Sequence, residues 1–343
     1  MKKYILDLAS EQFKTLLKSI VKEEYRINQI IEWIYSKKAI SFGEFTNLPK
    51  KLRENLDDKF KLRTLKILKK EKSTIDGTTR YTFQAVDKKI FFAVLIPKND
   101  KNSVCVSSQI GCPVKCVFCS SGKVKFVRNL SKGEIIEQLL QIENDTLEKT
   151  SRVLFMGMGE PMLNFNNVFS VLSSLLSNKK FGMSKRHITV STVGIVPAIK
   201  KLADSNLGIR LAISLNLIDE KRQKKIIGNN FSFGIRDILN SGKYYIKRTN
   251  SRLTIEYLLI KKINDSVTDA HKLTRFLKQC DLINSNVQVN LIPFNHLVNV
   301  EFKTPTVASV QKFRNILKLS RIIVNVRQTK GADICAACGQ LGY

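Results

Sequence analysis

The chain has 343 residues, 43% of them hydrophobic, and no stretch approaches the roughly 20 apolar residues that a membrane span needs. Its 58 lysines and arginines against 29 aspartates and glutamates give a formal net charge of +29. That charge favours a polyanionic partner such as nucleic acid. The alternative explanation is an AT-rich coding sequence, which raises the lysine content without any role in binding.

The first 97 residues predict a small helical domain followed by a β-hairpin bridge. Up to about residue 70, apolar residues recur at three- and four-residue intervals, as in 10–17 and 25–35, which favours helices. The segments 64–68, 80–86 and 90–96 have the composition of strands, and Asp76-Gly77 is a turn between two of them. With the basic charge, this region is a candidate RNA-binding accessory domain.

Residues 98–330 alternate between apolar strands and helical patterns. Six such units predict an α/β fold, a partial (β/α)6 barrel with a parallel sheet, whose active site lies at the carboxyl ends of the strands. The predicted strands are 103–107, 153–156, 187–191, 209–215, 253–259 and 287–292. The predicted helices are 131–144, 164–177, 195–204, 232–247, 266–280 and 306–320.

Three cysteines with the spacing Cys-x3-Cys-x2-Cys follow the first of these strands, and they are Cys112, Cys116 and Cys119. A cubic iron–sulfur cluster has four irons, so three thiolates leave one iron open to a ligand that is not protein. This arrangement predicts a [4Fe–4S] cluster that binds and reductively cleaves S-adenosylmethionine. The alternatives are a zinc site, which usually has four ligands, or a chance cluster. Seven cysteines grouped in short motifs indicate a reducing compartment, and we expect a cytoplasmic protein.

Polar or small residues follow four further strands. Gly159 and Glu160 come after the second strand, where exposed carbonyls and a carboxylate could receive the amino group of S-adenosylmethionine. Ser191, the segment Ser214-Leu215-Asn216 and Asn295 are similar candidates for ligand contacts. A tight turn or a helix cap would explain each of them equally well.

Two cysteines outside the triplet are candidate reactive thiols. Cys338 is flanked by alanine and glycine in the terminal segment 331–343, which is small enough to enter a pocket. Cys105 lies on the first strand of the predicted barrel, seven residues before Cys112. The alternative is that both are inert buried thiols, which is the interpretation that we give to Cys280 within an apolar helix.

Taken together, these motifs closely resemble those of the dual-specificity 23S rRNA and tRNA adenine carbon-2 methyltransferases, a radical S-adenosylmethionine family. The resemblance extends over nearly the whole chain. It is strongest in the segments 105–112, 116–119, 155–164, 191–194, 290–295 and 336–341.

The resemblance implies two molecules of S-adenosylmethionine per turnover. The first would methylate Cys338, and the second would be cleaved to a 5′-deoxyadenosyl radical that takes hydrogen from the methyl group. The resulting carbon radical would add to adenine carbon 2, which is electron-poor and closed to polar methyl transfer. Cys105 would then help remove the proton and release the adduct, leaving a transient disulfide with Cys338. The cofactor contacts implied are Gly159, Glu160, Ser191, Ser214, Leu215, Asn216 and Asn295.

Three positions depart from the family pattern. Phe92 stands thirteen residues before Cys105, where the family usually has a glutamate proposed as a base, so more of the proton removal falls to Cys105. Asn216 replaces a frequent histidine. Cys335 replaces a usual aspartate and would be a competitor in disulfide formation.

The resemblance also implies partners. We expect 23S rRNA and tRNA as substrates, an electron donor such as flavodoxin with its reductase, no membrane, and a monomer. The alternative functions are an adenine carbon-8 rRNA methyltransferase and a catalytically impaired iron–sulfur RNA-binding protein.

Overall fold

The structure is a computed structural model that describes residues 2–8, 10–21, 23–98, 101–227, 233–297 and 300–342. Its amino-terminal region is helical, as predicted, with helices α1 (Ser10–Lys18), α2 (Glu24–Tyr35) and α3 (Lys50–Lys59). The short strands β1 (Lys3–Tyr4) and β2 (Phe60–Lys61) pair in parallel beside them. On α2 the periodic isoleucines are buried, which explains why the spacing predicted a helix: Ile27, Ile30, Ile31 and Ile34.

A single ten-stranded sheet forms the centre of the molecule. Its order is β14-β13-β12-β11-β10-β9-β6-β5-β4-β3. The antiparallel end consists of β3 (Lys66–Lys72), β4 (Thr79–Gln84) and β5 (Ile90–Lys98). The parallel part consists of β6 (Lys101–Cys105), β9 (Thr150–Phe155), β10 (Ile188–Thr192), β11 (Arg210–Ser214), β12 (Leu253–Leu259), β13 (Val287–Pro293) and β14 (Ile323–Val326). Two short strands, β7 (Gln109–Ile110) and β8 (Arg128–Asn129), pair separately.

The predicted α/β architecture is confirmed, because all six predicted strands of the parallel part are present. The predicted β-hairpin is present as β4 and β5, and it joins the same sheet because β5 also pairs with β6. A seventh parallel strand, β14, was missed, because its sequence Ile-Val-Asn-Val is short and follows the last expected helix directly. In the sheet order, β6 and β14 stand at the two ends of the parallel part, which leaves an open seam between them.

The helices follow the strands as the periodicity indicated. Their bounds are α5 (Lys132–Thr146), α6 (Phe165–Leu176), α7 (Val196–Asp204), α9 (Ile235–Thr249), α10 (Val267–Gln279) and α11 (Val307–Leu319), with α4 (Ser120–Lys123) and α8 (Glu220–Ile226) as short additions. The predicted start of α9 at residue 232 lies outside the described residues. Capping boxes define the starts of α5 and α10, where Ser131 and Ser266 accept from backbone N–H groups three residues on. No helix among the described residues is long and apolar enough to cross a membrane.

The amino-terminal helices are anchored to the sheet through α5. The carboxylate of Glu137 on α5 is fully buried and accepts hydrogen bonds from the backbone N–H groups of Thr64 and Leu65 at 3.0–3.1 Å and from the Tyr4 hydroxyl. A buried carboxylate with several donors rigidly joins the segments that supply them. The division of the chain at residues 97 and 98 stays a prediction. It falls within the last residues of β5, and the next strand, β6, is the hydrogen-bonded neighbour of β5.

Candidate active site

The cysteine loop lies between β7 and α4, and two glycines make its path possible. Gly111 has φ +74°, and a Cβ added there would lie 2.3 Å from the carbonyl oxygen of Lys125. A Cβ on Gly122 would lie 2.5 Å from the carbonyl oxygen of Cys116. These close approaches fold the loop back on itself, so that all three cysteines line one cavity: Cys112, Cys116 and Cys119.

The three loop thiols are in apolar, anionic surroundings. Burial raises the pKa of the Cys112 thiol to about 12, and Glu160 and Cys119 raise it further. Burial also raises the pKa of Cys116 and of Cys119. Without a cation these thiols stay protonated, so ligation here depends on positive charge from a metal centre.

The loop after β9 carries Glu160 into the same cavity. Gly159 has φ +101°, and a Cβ there would lie 2.5 Å from Cβ of Gln109, so the loop passes directly over the strand that precedes the cysteines. The two oxygens of Glu160 accept from the backbone N–H groups of Met162 at 3.0 Å and Val193 at 2.9 Å. Burial raises the pKa of Glu160 to about 7, although those hydrogen bonds oppose the shift.

The next strands contribute hydroxyls and an amide. The Oγ atoms of Ser191 and Ser214 lie 3.2 Å apart at the ends of β10 and β11, and both residues line the cavity. Asn216 has φ +58°, a left-handed conformation that asparagine tolerates, and its Oδ1 accepts from the N–H of Leu258 at 3.2 Å. The side chain of Leu215 is fully buried and does not line the cavity, so only its backbone could contact a ligand.

Asn295 is not among the residues that line the cavity of the cysteine loop. Its amide nitrogen donates to the carbonyl oxygen of Cys338 at 2.9 Å, and its Oδ1 accepts from the Thr329 hydroxyl at 2.8 Å. It lines a second cavity on the other side of Cys338. The structure therefore gives Asn295 the role of fixing the terminal segment.

The terminal segment is held against the cysteine loop. The backbone N–H of Ser120 donates to the carbonyl oxygen of Gly339 at 2.7 Å, and Gln340 donates from its side chain to the carbonyl oxygen of His296 at 2.9 Å. These bonds place Cys338 where it lines both the cavity of the loop and the second cavity.

Cys105 is buried at the end of β6, between Val94 and Leu154 in the register of the sheet. Burial raises the pKa of its thiol to about 12, Cys338 adds to the rise, and Arg327 opposes it. All seven cysteines of the structure are free thiols, Cys105 and Cys338 included.

Two charged residues that the sequence did not single out lie in the same cavity. Arg327, directly after β14, is held at a raised pKa chiefly by Cys338, with smaller contributions from Glu256 and Cys105. Glu256 on β12 is only 3% exposed, and its Oε2 has no hydrogen-bond partner among the described residues. The sequence did contain a signal for Glu256, since a carboxylate within an otherwise apolar strand is unusual. It contained none for Arg327, because that residue follows β14, the strand that was not predicted.

The departures from the family pattern lie outside this cavity, except for Asn216. Phe92 is buried on β5, with the guanidinium of Arg80 5.4 Å from its ring centre, and it lines a third cavity together with the exposed Cys335. Cys280 is buried at the end of α10, as expected.

Comparison with known proteins gives the family. A model of the radical SAM superfamily matches residues 106–273, and one of the ribosomal RNA large subunit methyltransferase N-terminal domain matches residues 4–62. A probable dual-specificity RNA methyltransferase RlmN of Endomicrobium trichonymphae is 68% identical over 342 residues, which cover 100% of this chain and 98% of the relative. The chain belongs to the RlmN family.

Other members agree with this assignment. The probable RlmN enzyme of Thermotoga maritima is 41% identical over 340 residues, with 99% of this chain and 97% of the relative covered. The crystal structure of a radical SAM methyltransferase from Sphaerobacter thermophilus superposes with a TM-score of 0.92 at 33% identity and covers 99% of both chains. The protein is therefore an RlmN-type radical SAM RNA methyltransferase, which implies an RNA substrate, a [4Fe–4S] cluster and S-adenosylmethionine.

The donor set at the cysteine loop fits that cluster. Three thiols line one cavity. In a cubic cluster each of three thiolates binds a different iron and one iron stays open, whereas a structural zinc site usually has four protein ligands.

Proposed function

We propose that this RlmN family member methylates carbon 2 of a specific adenine in 23S rRNA, and also in tRNAs, through a methyl group carried on Cys338. The observation that carries the proposal is the position of Cys338, which lines the cavity of the cysteine loop and contributes to the raised pKa of the buried Cys105. A thiol that lines the proposed cluster cavity and has a second thiol near it can carry a methyl group and later be released from it.

The cysteine loop is the proposed cluster site, with Cys112, Cys116 and Cys119 as ligands. When bound, the cluster supplies the electron that cleaves S-adenosylmethionine and leaves a 5′-deoxyadenosyl radical. Glu160 faces the cavity with a carboxylate that is already fixed by two backbone donors, so it can accept from an ammonium group without moving. Gly159 is small enough for its backbone to approach the same ligand.

The remaining proposed contacts to S-adenosylmethionine are Ser191, Ser214, Leu215 through its backbone and Asn216. The paired hydroxyls of Ser191 and Ser214 can donate and accept, which suits the ribose diol. Asn295 acts on the reaction through the carbonyl group of Cys338, so we propose that it positions the terminal segment.

The two thiols have successive roles. Cys338 as thiolate attacks the sulfonium methyl carbon of the first S-adenosylmethionine, and S-adenosylhomocysteine leaves with the electron pair. The adduct radical formed on adenine loses the proton on carbon 2 and one electron, which the oxidised cluster would take back, so that the ring regains its aromaticity. Cys105 passes the proton to water and then, as thiolate, attacks the sulfur of Cys338. The carbon–sulfur electron pair moves to the methylene carbon, which takes up a proton and becomes the methyl group of the product. The product disulfide must be reduced by an external thiol before the next turnover.

With Phe92 in place of a carboxylate, proton removal from the adduct falls to Cys105. We further propose that the enzyme is a cytoplasmic monomer. We also propose that it takes electrons from a flavodoxin-type donor, since none of the described groups supplies electrons for repeated turnover.

The test is a single turnover of the cluster-loaded protein with 23S rRNA, S-adenosylmethionine and dithionite, followed by nucleoside mass spectrometry. We expect 2-methyladenosine and 5′-deoxyadenosine. Formation of 8-methyladenosine would show that the enzyme methylates carbon 8 instead. If no 5′-deoxyadenosine forms although the cluster is intact, the protein is a catalytically impaired iron–sulfur RNA-binding protein.

A further inference from the structure

A second cavity extends from Cys338 on the side away from the cysteine loop. It has a volume of about 780 Å³, which is within the usual range of ligand sites. One wall comes from β5, β6 and β9, and the other from β13, β14 and the terminal segment. The cavity therefore occupies the open seam of the incomplete barrel. It shares three lining residues with the proposed cofactor cavity, which are Cys338, Arg327 and Ile292.

The lining of this seam cavity is cationic over an apolar base. Lys98, Arg152, Arg327 and Lys330 line it, and none of its described lining residues is acidic. Its apolar wall consists of Ile96, Pro97, Leu154, Ile292 and Val326. A ligand that suits both features has a flat, weakly polar part and a negative backbone, as a nucleotide has.

The cationic character continues along the same face of the sheet. The register places Leu154, Thr189 and Arg210 side by side on three neighbouring strands. Arg152 lies two residues before Leu154, so its side chain projects from the same face as that of Arg210. Arg252 precedes Leu253, the partner of Leu211, and so lies beside Arg210 on that face.

These arginines have no carboxylate partners. Among the described residues, no ion pair or side-chain hydrogen bond involves Arg152, Arg210 or Arg252, whereas eleven other ion pairs are formed. Burial, together with Arg252, Arg152 and Arg186, lowers the pKa of Arg210. Mutual repulsion of this kind is relieved by a bound polyanion.

We propose that the seam cavity is the RNA entry site, where the target adenine is seated against Cys338 and Arg152 and Arg210 hold phosphodiesters of the same strand. This inference rests on the proposed RNA substrate and says where on the protein that RNA binds. Bases that leave their stack are received by apolar pockets and guanidinium planes, which this cavity provides. The two ligands would then reach Cys338 from opposite sides, S-adenosylmethionine through the loop cavity and adenine through the seam.

The test compares two double variants of the cluster-loaded protein that remove the same charge. In R152Q/R210Q the charge is lost from the barrel face, and in K272Q/R275Q it is lost from exposed positions on α10, which serves as the matched control. Binding to protein-free 23S rRNA is measured over a range of KCl concentrations. We expect the slope of log Kd against log [KCl] to fall by about 1.5 for R152Q/R210Q, since each lost phosphate contact removes about 0.7–0.9. At 0.1 M KCl the affinity falls roughly tenfold to a hundredfold.

For K272Q/R275Q we expect a slope and an affinity within about twofold of the unsubstituted protein. Equal losses in both double variants would reduce the effect to net charge and overturn the proposal, as would unchanged binding by R152Q/R210Q. Transfer of a labelled methyl group to Cys338 without RNA is measured in the unsubstituted protein. Its absence would count against the proposed function, while the binding slopes would still decide whether RNA uses the seam.

Discussion

The three thiols of the cysteine loop and the pair formed by Cys105 and Cys338 lie at the same end of the sheet, but their electrostatic surroundings differ. The loop thiols face the carboxylate of Glu160, which raises the pKa of Cys112 beyond the effect of burial. The pair faces Arg327, which opposes the effect of burial at Cys105. The loop thus depends on a metal centre for its positive charge, whereas the protein itself supplies a cation to the pair.

The largest expected effects come from removing one thiol from each group, and they distinguish the loop thiols from the pair. Cys338→Ala and Cys116→Ala should both reduce RNA methylation by more than about a thousandfold, because each removes a required group. Only Cys116→Ala should also lose iron, since it removes a proposed ligand. Nucleoside mass spectrometry and iron content per chain measure the two effects. Loss of iron in the Cys338→Ala variant would make Cys338 a cluster ligand and erase the distinction.

A change at Arg327 tests whether this cation assists the pair formed by Cys105 and Cys338. In Arg327→Gln, methyl transfer to Cys338 without RNA should slow by about tenfold to a hundredfold, because the guanidinium stabilises the negative charge of the attacking sulfur. Arg327→Lys keeps a positive charge and should recover part of the rate, which a structural defect would not reproduce. Arg275→Gln, an exposed change on α10, is the control. An Arg327→Lys variant as slow as Arg327→Gln would contradict an electrostatic role.

The loop side predicts a pH effect on stability. The pKa of Glu160 is about 7 in the folded protein and about 4.5 in the unfolded chain, so the folded state binds more protons between these values. The free energy of unfolding of the cluster-free protein should therefore fall as the pH rises from about 4.5 to 7, by about 2–3 kcal/mol at most from this group. Urea unfolding at pH 5 and pH 8 measures the fall. In Glu160→Gln it should be smaller, and an unchanged fall would assign it to other groups.

The smallest effect concerns Cys335. Its side chain is exposed and lies in the cavity of Phe92, not in either cavity of Cys338. Cys335→Ala should change the rate of RNA methylation by less than about twofold, as expected for a surface site that does not contact the reacting groups. A larger loss in steady-state assays would show that Cys335 takes part in the disulfide chemistry of the pair.

The sequence predicted the sheet and the cluster loop well because both have strong local patterns. Apolar runs and helix periodicity located six strands and six helices, and cysteine spacing located the loop without any knowledge of its contacts. The missed strand β14 has only four residues, three of them at least one-third exposed, and so carries almost no periodic pattern. Arg327, which follows it, was missed for the same reason.

Other parts of the site depend on contacts between distant residues. The hydrogen bond from Asn295 to the Cys338 carbonyl joins residues 43 positions apart, which no local pattern reveals. Leu215 belongs to a polar segment, yet its side chain is buried in the core. The arginine cluster also forms only through strand register, since Arg152, Arg210 and Arg252 are separated by more than 40 positions along the chain.

The central claim, that the methyl group travels on Cys338, is tested most directly with S-adenosylmethionine whose methyl group carries three deuterium atoms. A hydrogen taken from methylated Cys338 moves one deuterium into 5′-deoxyadenosine, so the methyl group of the RNA product should retain two. Mass spectrometry of the nucleosides and of 5′-deoxyadenosine from one single-turnover reaction measures both. Transfer of the intact trideuterated methyl group to adenine would contradict the account, since it would show direct transfer without a protein-bound radical.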